Sequence, residues 1–152
     1  GMISTLVVPF ATLESAPNFG ELIAAYAKEA GMAGMPPPKP HIETYRLLDK
    51  TGMLKTICAY LGQEVVGFIV ILVNMSPHYG VKLAHMESFF VSRVHRSTGA
   101  AMRLLHHAED LAREMGAVGL MCAAAIGGNL ERVLSSRSNY SKTHVGFFRG
   151  FA

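Results

Sequence analysis

Residues 96–101 have the composition of an anion-binding turn. They read Arg-Ser-Thr-Gly-Ala-Ala and separate a strand-like stretch, residues 83–91, from a helical one. The first backbone N–H groups of a helix have no intrahelical partner, and they lie at the positive end of the helix dipole. Small side chains at such a turn let a phosphate group approach these N–H groups closely. The alternative is an ordinary strand-to-helix junction, because a single glycine in a turn is a weak signal.

Glu87 and His85 have side chains that could carry a proton. Both belong to the strand-like stretch before the turn. If that strand is regular, its period of two places His85, Glu87, Phe89 and Val91 on one face. A carboxylate or an imidazole at this place can pass a proton from a reacting group through water, and Glu87 could also bind a cationic substrate. The alternative is that the two side chains pair with each other or are solvated at the strand edge.

A strand followed by a helix must position these residues. Aromatic and β-branched side chains in residues 83–91 favour a half-buried strand. After the turn, Met102, Leu105, Ala108 and Ala112 recur at helical spacing. The sequence therefore predicts a strand that leads directly into the N-terminus of an amphipathic helix.

The whole chain predicts one domain with a mixed sheet. Residues 53–61 and 64–75 read as strands joined by a tight turn, and with residues 83–91 they form an antiparallel meander. The strand–helix–strand unit that follows requires a parallel crossover. The other predicted elements are a strand at 3–9, helices at 18–29 and 42–49, a strand at 120–124 followed by a helix, and a last strand at 142–151. We expect an α+β fold over residues 1–152, with a mostly antiparallel sheet, one parallel strand pair and about four flanking helices.

Length, composition and charge argue against several classes of protein. A chain of 152 residues is long enough for one domain and short for two. The longest apolar run, residues 65–73, is interrupted by a glycine and too short to span a bilayer, and residues 2–10 lack a basic leader and a cleavage site. We therefore expect a cytoplasmic protein with no membrane contact. The formal charge of +3 comes from scattered basic residues, which does not indicate nucleic-acid binding.

The cysteine and histidine residues predict no metal site. Cys58 and Cys122 lie in apolar, strand-like segments, where a small buried thiol is the usual state. His106 and His107 are adjacent on a helix and face different directions, so they cannot both bind one ion. The other histidines show no metal-ligand spacing.

The stretch from Glu87 through the helix resembles motif A of the GCN5-related N-acetyltransferase family. The family pattern, Gln/Arg-x-x-Gly-x-Gly/Ala, is matched by Arg96, Gly99 and Ala101. The resemblance covers most of the chain, from the helix near Phe19 to the last predicted strand. It implies that the turn binds the pyrophosphate of acetyl-coenzyme A (acetyl-CoA). The cofactor-binding residues that the resemblance implies are Phe89, Phe90, Val91, Arg96, Ser97, Thr98, Gly99, Ala100, Ala101 and Asn129; for Asn129 a helix N-cap is an equal alternative.

The resemblance also implies catalytic residues. Glu87 stands where diamine-acetylating relatives have a glutamate, and His85 stands where the histone-acetylating branch has its basic carboxylate. At the position of Ser136, family members often have a tyrosine that acts as the general acid and protonates the CoA thiolate. The conventional acid is thus missing, and Tyr79 and Tyr140 are the candidates to replace it.

Two function classes follow from the resemblance. The first is an N-acetyltransferase that moves an acetyl group from acetyl-CoA to a primary amine by direct transfer in a ternary complex. The second is a non-catalytic CoA-binding or assembly domain that kept the fold. Ser136 favours the second class, whereas Glu87 and the intact turn favour the first, which is our prediction. A polyamine, an aminoglycoside, an amino acid and a peptide N-terminus are all compatible acceptors, and a homodimer is compatible with either class.

Overall fold

The computed structural model describes residues 1–151. Over that range a five-stranded sheet is formed by β1 (Ile3–Val8), β2 (Leu54–Leu61), β3 (Glu64–Met75), β4 (Lys82–Val91) and β5 (Leu120–Met121). The helices are α1 (Phe10–Glu14), α2 (Phe19–Glu29), α3 (Ile42–Lys50), α4 (Ala100–Glu114) and α5 (Asn129–Ser135), and a 3₁₀ helix spans Arg93–Thr98. Within the same residues no helix has the length and apolar character to cross a membrane.

The five strands follow chain order across the sheet. Strands β1 to β4 pair antiparallel, and β5 lies parallel to β4 after the α4 crossover. Gly62 closes the β2–β3 hairpin with a φ of 62°, in the left-handed region that favours glycine. The mixed, mostly antiparallel sheet with one parallel pair is therefore confirmed. Sequence analysis missed α1, a helix of five residues.

Helices cover both faces of the sheet. On α4, the side chains of Leu104, Leu105, Ala108 and Ala112 are buried in one core with sheet residues such as Ile69. α1, α2 and α3 pack on the opposite face in a second core. Complete burial of a leucine side chain contributes roughly 1.5–3 kcal/mol. The two cores therefore fix β4 and α4, the elements that carry the predicted site.

A β-bulge interrupts the pairing of β3 with β4 at Glu87. Val70 lies opposite Ser88, and the next residue, Ile71, lies opposite Met86, so Glu87 has no partner in β3. A bulge of this kind changes which side chains face each side of the sheet.

The predicted common face of His85, Glu87, Phe89 and Val91 is wrong because of this bulge. Phe89 and Val91 belong to the core on the α4 side. His85 lies opposite Leu72, which belongs to the core on the α1–α3 side, and directly opposite residues share a face. Side chains along β4 therefore do not alternate regularly between the two faces of the sheet.

Residues 142–151 do not form the predicted last strand. Residues 136–151 contain neither helix nor strand, and the ring of Phe148 lies against Gly34 in the loop between α2 and α3. The side chain of Phe147 is 95% exposed. β5 is only two residues long, so it does not provide a ladder along which a ten-residue strand could satisfy its backbone groups.

Candidate active site

β4 has an unpaired edge beyond its short pairing with β5. The two strands pair only where Ala84 faces Leu120 and His85 faces Met121. Across residues 1–151, the remaining part of β4, residues 86–91, has no ladder partner on the β5 side. We call the space beside this unpaired edge the β4–β5 cleft. Its unpaired strand edge leaves backbone N–H and C=O groups available to an extended ligand.

Of the three predicted cofactor-binding residues in β4, Phe89 and Val91 direct their backbone groups toward this cleft. The backbone groups of Phe90 face β3 instead, because Ser92 donates to Val66 and alternate residues of a strand bond to the same neighbour. Phe90 and Val91 are buried in opposite cores, and Phe89 packs against the core on the α4 side. Contacts of Phe89 and Val91 with a ligand in the cleft are therefore made by backbone groups, and the Val91 carbonyl is already bound by Arg96.

The turn at Gly99 leaves helix N–H groups free for an anion. Gly99 has φ 82° and ψ 5°, a left-handed conformation that requires glycine, and a Cβ atom there would meet nothing within 4 Å. The first helical hydrogen bond runs from the Arg103 N–H to the Gly99 carbonyl. The N–H groups of Ala101 and Met102 precede it and lack intrahelical partners. The first turn of α4 contains no acidic residue.

The polar side chains of the turn stabilise the turn itself. The hydroxyl of Thr98 donates to the His95 carbonyl at 2.5 Å and accepts from the Ala100 N–H at 3.3 Å. Ala100 is buried, whereas Ser97 is exposed. Thr98 therefore engages the Ala100 N–H, whereas the Ala101 N–H remains available.

The side chain of Arg96 folds back onto β4 and α2. Its Nε donates to the Val91 carbonyl at 2.9 Å, and its guanidinium pairs with Glu29 at 2.7 Å. The guanidinium carbon lies 5.5 Å from the centre of the Phe90 ring, a cation–π distance. The hydrogen bond from Arg96 lowers the pKa of Glu29. Arg96 thus positions the turn and does not extend into the cleft.

Glu87 lies at the bulge and is bound by a tyrosine from the helical layer. The Tyr45 hydroxyl donates to Glu87 Oε2 at 2.8 Å. The Tyr45 ring is stacked on Phe10, with ring centres 5.1 Å apart and planes at 15°. The Glu87 carboxylate is therefore held on the α1–α3 side of the sheet.

Two tyrosine hydroxyls lie in the electrostatic field of Glu87. Burial and then the negative charge of Glu87 raise the pKa of Tyr45 and the pKa of Tyr26. Both hydroxyls consequently stay protonated at neutral pH and act as hydrogen-bond donors. Sequence analysis missed both residues. The signal for Tyr45 was its place on the apolar face of α3, where a hydroxyl needs a polar partner.

The residues near α5 are placed apart from Glu87. Asn129 is the first residue of α5, with Gly128 as the N-cap, and its exposed side chain makes no hydrogen bond within residues 1–151. Its N-cap alternative is therefore wrong. The Ser136 hydroxyl donates to the Val133 carbonyl at 2.7 Å, an interaction local to the end of α5.

The two candidate replacement acids are not brought to Glu87. The Tyr140 hydroxyl donates to Glu109 of α4 at 2.5 Å, and its ring packs against the core on the α4 side, whereas Glu87 faces the other side. Burial raises the pKa of Tyr140. Tyr79 is 63% exposed in the loop before β4, where its ring contacts His78. Their catalytic roles stay predictions.

The thiols and the remaining histidines suggest no further chemistry. Burial raises the pKa of Cys58 to about 12 and that of Cys122 to about 11, so both thiols stay protonated at neutral pH. His107 shares a 2.8 Å hydrogen bond with Thr5 of β1. No group of three His, Cys, Asp or Glu side chains in residues 1–151 is arranged to hold a metal ion.

Comparison with known proteins identifies one family. The family model described as acetyltransferase (GNAT) family matches residues 20–131, which include α2, the bulge, the turn and α4. No curated protein shows significant similarity to this sequence.

Solved structures with the same fold cover 98–100% of this chain. One is a ribosomal-protein-alanine N-acetyltransferase from Brucella melitensis biovar Abortus 2308, with 19% identity, a TM-score of 0.69, and coverage of 98% of this chain and 100% of that one. Another is the aminoglycoside acetyltransferase meta-AAC0020 from an uncultured soil metagenomic sample, in complex with sisomicin, at 17% identity, TM-score 0.75, and 99% and 97% coverage. A third is AAC(6')-Iy with the bisubstrate analog CoA-S-monomethyl-acetylneamine, at 14% identity, TM-score 0.74, and 100% coverage of both chains.

Proposed function

Because the chain belongs to the GNAT acetyltransferase family, we propose that it transfers an acetyl group from acetyl-CoA directly to a primary amine while both substrates are bound. The observation that carries this proposal is the β4–β5 cleft. Its β4 wall leads from the carboxylate of Glu87 to the free helix N–H groups beyond Gly99. A substrate with phosphates at one end and a reacting group at the other suits such a wall.

Residues of the turn and of β4 would hold acetyl-CoA. The N–H groups of Ala101 and Met102, together with the open space at Gly99, suit a pyrophosphate group. The backbone groups of Phe89 and the N–H of Val91, which have no ladder partner on the β5 side, suit an arm that contains amide groups. When bound, acetyl-CoA supplies a thioester carbon that an amine can attack.

Glu87 would remove the proton of the acceptor. An amine attacks only when its lone pair is free, so the ammonium form must first lose a proton. Glu87 takes this proton directly or through a water molecule, and Tyr45 holds the carboxylate in place. A protein acid is helpful but not required, because a thiol with a pKa of about 8.5 is a tolerable leaving group at neutral pH. Water can therefore be the source of the proton for the departing sulfur.

A non-catalytic CoA-binding domain is the second candidate. The observation that favours it is Ser136, which stands at the usual position of the acid and whose hydroxyl is engaged with Val133. Both candidates predict CoA binding at the turn, and only the first predicts turnover.

Thiol release from acetyl-CoA distinguishes the two candidates. Purified protein is incubated with acetyl-CoA and a panel of primary amines. The release of free thiol is measured with a chromogenic reagent, and acetylated amine is identified by mass spectrometry. Calorimetric titration with CoA is carried out on the same preparation. Transfer is supported if an amine gains an acetyl group as thiol is released. CoA binding without transfer to any amine in the panel would favour the second candidate.

A further inference from the structure

We infer that Phe10, the first residue of α1, is a positioning residue for the proposed reaction: its ring orients the ring of Tyr45, and the Tyr45 hydroxyl in turn orients the Glu87 carboxylate. The inference rests on the proposed function, because it assumes that Glu87 removes the proton of the amine. It goes further by giving α1 a part in catalysis, through residues on two other elements.

The orientation of the Glu87 carboxylate depends on one hydrogen bond. Among residues 1–151, the group that hydrogen-bonds to this carboxylate is the Tyr45 hydroxyl, at 2.8 Å from Oε2. A glutamate side chain has several rotatable bonds and populates several rotamers when nothing holds it. A base has to lie within hydrogen-bond reach of the proton that it removes. The place of the Tyr45 hydroxyl therefore decides where Glu87 Oε1 is presented to an ammonium group.

The ring of Tyr45 is stacked on the ring of Phe10. The ring centres are 5.1 Å apart and the planes meet at 15°. Phe10 is only 3% exposed, and its own ring meets Phe19 edge-on, at 6.5 Å and 90°. Stacked and edge-on pairs are the arrangements that aromatic rings prefer. Because the hydroxyl oxygen of a tyrosine lies in the plane of its ring, holding that plane also holds the position from which Tyr45 donates.

Two polar contacts also join α1 to α3. The Phe10 N–H donates to Asp49 Oδ1 at 3.4 Å, and the guanidinium of Arg46, the neighbour of Tyr45, donates to Glu14 at 2.6 and 2.8 Å. Phe10 and Glu14 are four residues apart in α1, as are Tyr45 and Asp49 in α3, so each pair shares one face of its helix. The facing sides of the two helices are therefore joined along one turn, which holds the Phe10 ring in place relative to Tyr45.

Phe10 is also a core residue, so its loss lowers stability with or without a role in positioning. A purely structural role predicts a loss of activity that follows the loss of folded protein and is the same in any background. A positioning role predicts a loss of kcat that disappears once the Tyr45 hydroxyl or the Glu87 charge has been removed, because effects that pass through one shared group are not additive.

A set of double variants tests this difference. Phe10→Leu is made in the wild-type, Tyr45→Phe and Glu87→Gln backgrounds. Leu13→Val, made in the same three backgrounds, is the control, because Leu13 lies in α1 and in the same core, is 1% exposed and takes no part in the ring stack. The kcat and KM values are measured with acetyl-CoA and the best acceptor of the amine panel, at a temperature where thermal unfolding shows every variant to be folded.

Phe10→Leu is expected to lower kcat at least about fivefold in the wild-type background, since a small misplacement of a catalytic group is costly, and to leave the KM for acetyl-CoA unchanged. In either other background its further effect should be less than about twofold, and Leu13→Val should keep kcat within about twofold in all three. Wild-type kcat in folded Phe10→Leu protein would overturn the inference, and so would an equal loss in all three backgrounds or in Leu13→Val. If Phe10→Leu does not fold, Phe19→Leu, which removes the edge-on support of the Phe10 ring, is judged by the same criteria.

NMR spectra of protein with ring-labelled tyrosine separate this inference from the proposed function. The chain has five tyrosines, and the signal of Tyr45 is the one that Tyr45→Phe removes. Phe10→Leu and Glu87→Gln should each shift this signal, and Leu13→Val should leave it nearly unchanged. An unshifted signal in folded Phe10→Leu protein would overturn the inference without any turnover. Shifted signals with no acetylation of any amine would remove the proposed function, and with it the catalytic part of Phe10, and leave the coupling of Phe10 to Tyr45. Acetylation with unchanged kcat in Phe10→Leu would leave the proposed function in place and overturn the inference.

Discussion

The Tyr45 hydroxyl donates a 2.8 Å hydrogen bond to Glu87 Oε2 and so joins α3 to the bulge of β4. The two residues are 42 positions apart in the chain. Bulges often re-aim side chains next to active sites. Here the bulge and the tyrosine together hold a carboxylate on the α1–α3 side of the sheet, beside the β4–β5 cleft.

Gly99→Val is expected to weaken CoA binding at least about tenfold, or about 1.4 kcal/mol. The valine side chain would occupy the open space where a pyrophosphate approaches the helix N–H groups. A β-branched residue at φ 82° also strains the backbone by about 1–3 kcal/mol. Calorimetric titration with CoA measures the first effect, and thermal unfolding measures the second.

Gly116→Val is the matched control for this variant. Gly116 follows α4 and has φ 85°, and a Cβ atom added there would likewise meet nothing within 4 Å. At about 1.5 Å per helical residue, it lies roughly 25 Å from Gly99. The control should lose similar stability and keep its CoA affinity. Equal loss of affinity in both variants would exclude the turn from the binding site.

Arg96→Gln is expected to lower stability by about 1 kcal/mol at neutral pH, because bonds to the Val91 carbonyl and Glu29 are lost. The pKa of Glu29 lies below its ordinary value of 4.5 in the folded protein. The ion pair therefore stabilises the protein above pH 4.5 and is lost as pH falls through the folded-state pKa. Thermal unfolding at several pH values should show the wild-type advantage shrinking in acid.

Arg93→Gln serves as the comparison for Arg96→Gln. Arg93 also pairs with Glu29, but at 3.8 Å and with an exposed side chain. Exposed pairs of this kind contribute about 0–1 kcal/mol. This variant should therefore unfold close to the wild-type temperature. A larger loss for Arg93→Gln than for Arg96→Gln would contradict the positioning role of Arg96.

Ser136→Ala and Tyr140→Phe test the missing acid. Ser136→Ala should leave kcat nearly unchanged, because the Ser136 hydroxyl is engaged with the Val133 carbonyl. Tyr140→Phe should cost about 1 kcal/mol of stability through loss of the bond to Glu109 and leave kcat nearly unchanged. If Tyr140→Phe or Tyr79→Phe instead removed the alkaline limb of the kcat–pH profile, that tyrosine would be the acid. Abolished turnover in folded, CoA-binding Ser136→Ala protein would assign the serine a catalytic role.

Local sequence signals were sufficient to predict the elements that build the turn. Helical spacing after residue 101 predicted α4, and the turn residues predicted its start, which lies at Ala100 after the left-handed Gly99. The meander and the parallel crossover were equally predictable from the sequence, because turn residues and strand lengths are local properties. The family resemblance then supplied the cofactor that a backbone anion site alone does not name.

Non-local pairing decided what the sequence could not predict. Glu87 is unpaired only because Met86 and Ser88 lie opposite consecutive residues of β3, and strand alternation in one sequence does not reveal this. The last predicted strand failed because its neighbour, β5, is too short. The sequence placed Tyr45 on the apolar face of a helix. Its hydrogen bond to Glu87 could not be predicted, because it depends on how α3 packs on the sheet.

The rate of acetyl-CoA-dependent acetylation of the best acceptor in the amine panel, measured with wild-type protein and with Glu87→Gln, tests the central claim most directly. The substitution keeps the shape of the side chain and removes its charge. If Glu87 removes the ammonium proton, the variant should lose about 10²-fold or more of the rate and retain wild-type CoA affinity. A folded Glu87→Gln enzyme with the wild-type rate would contradict the account, and dependence of that rate on His85 would transfer the role to His85.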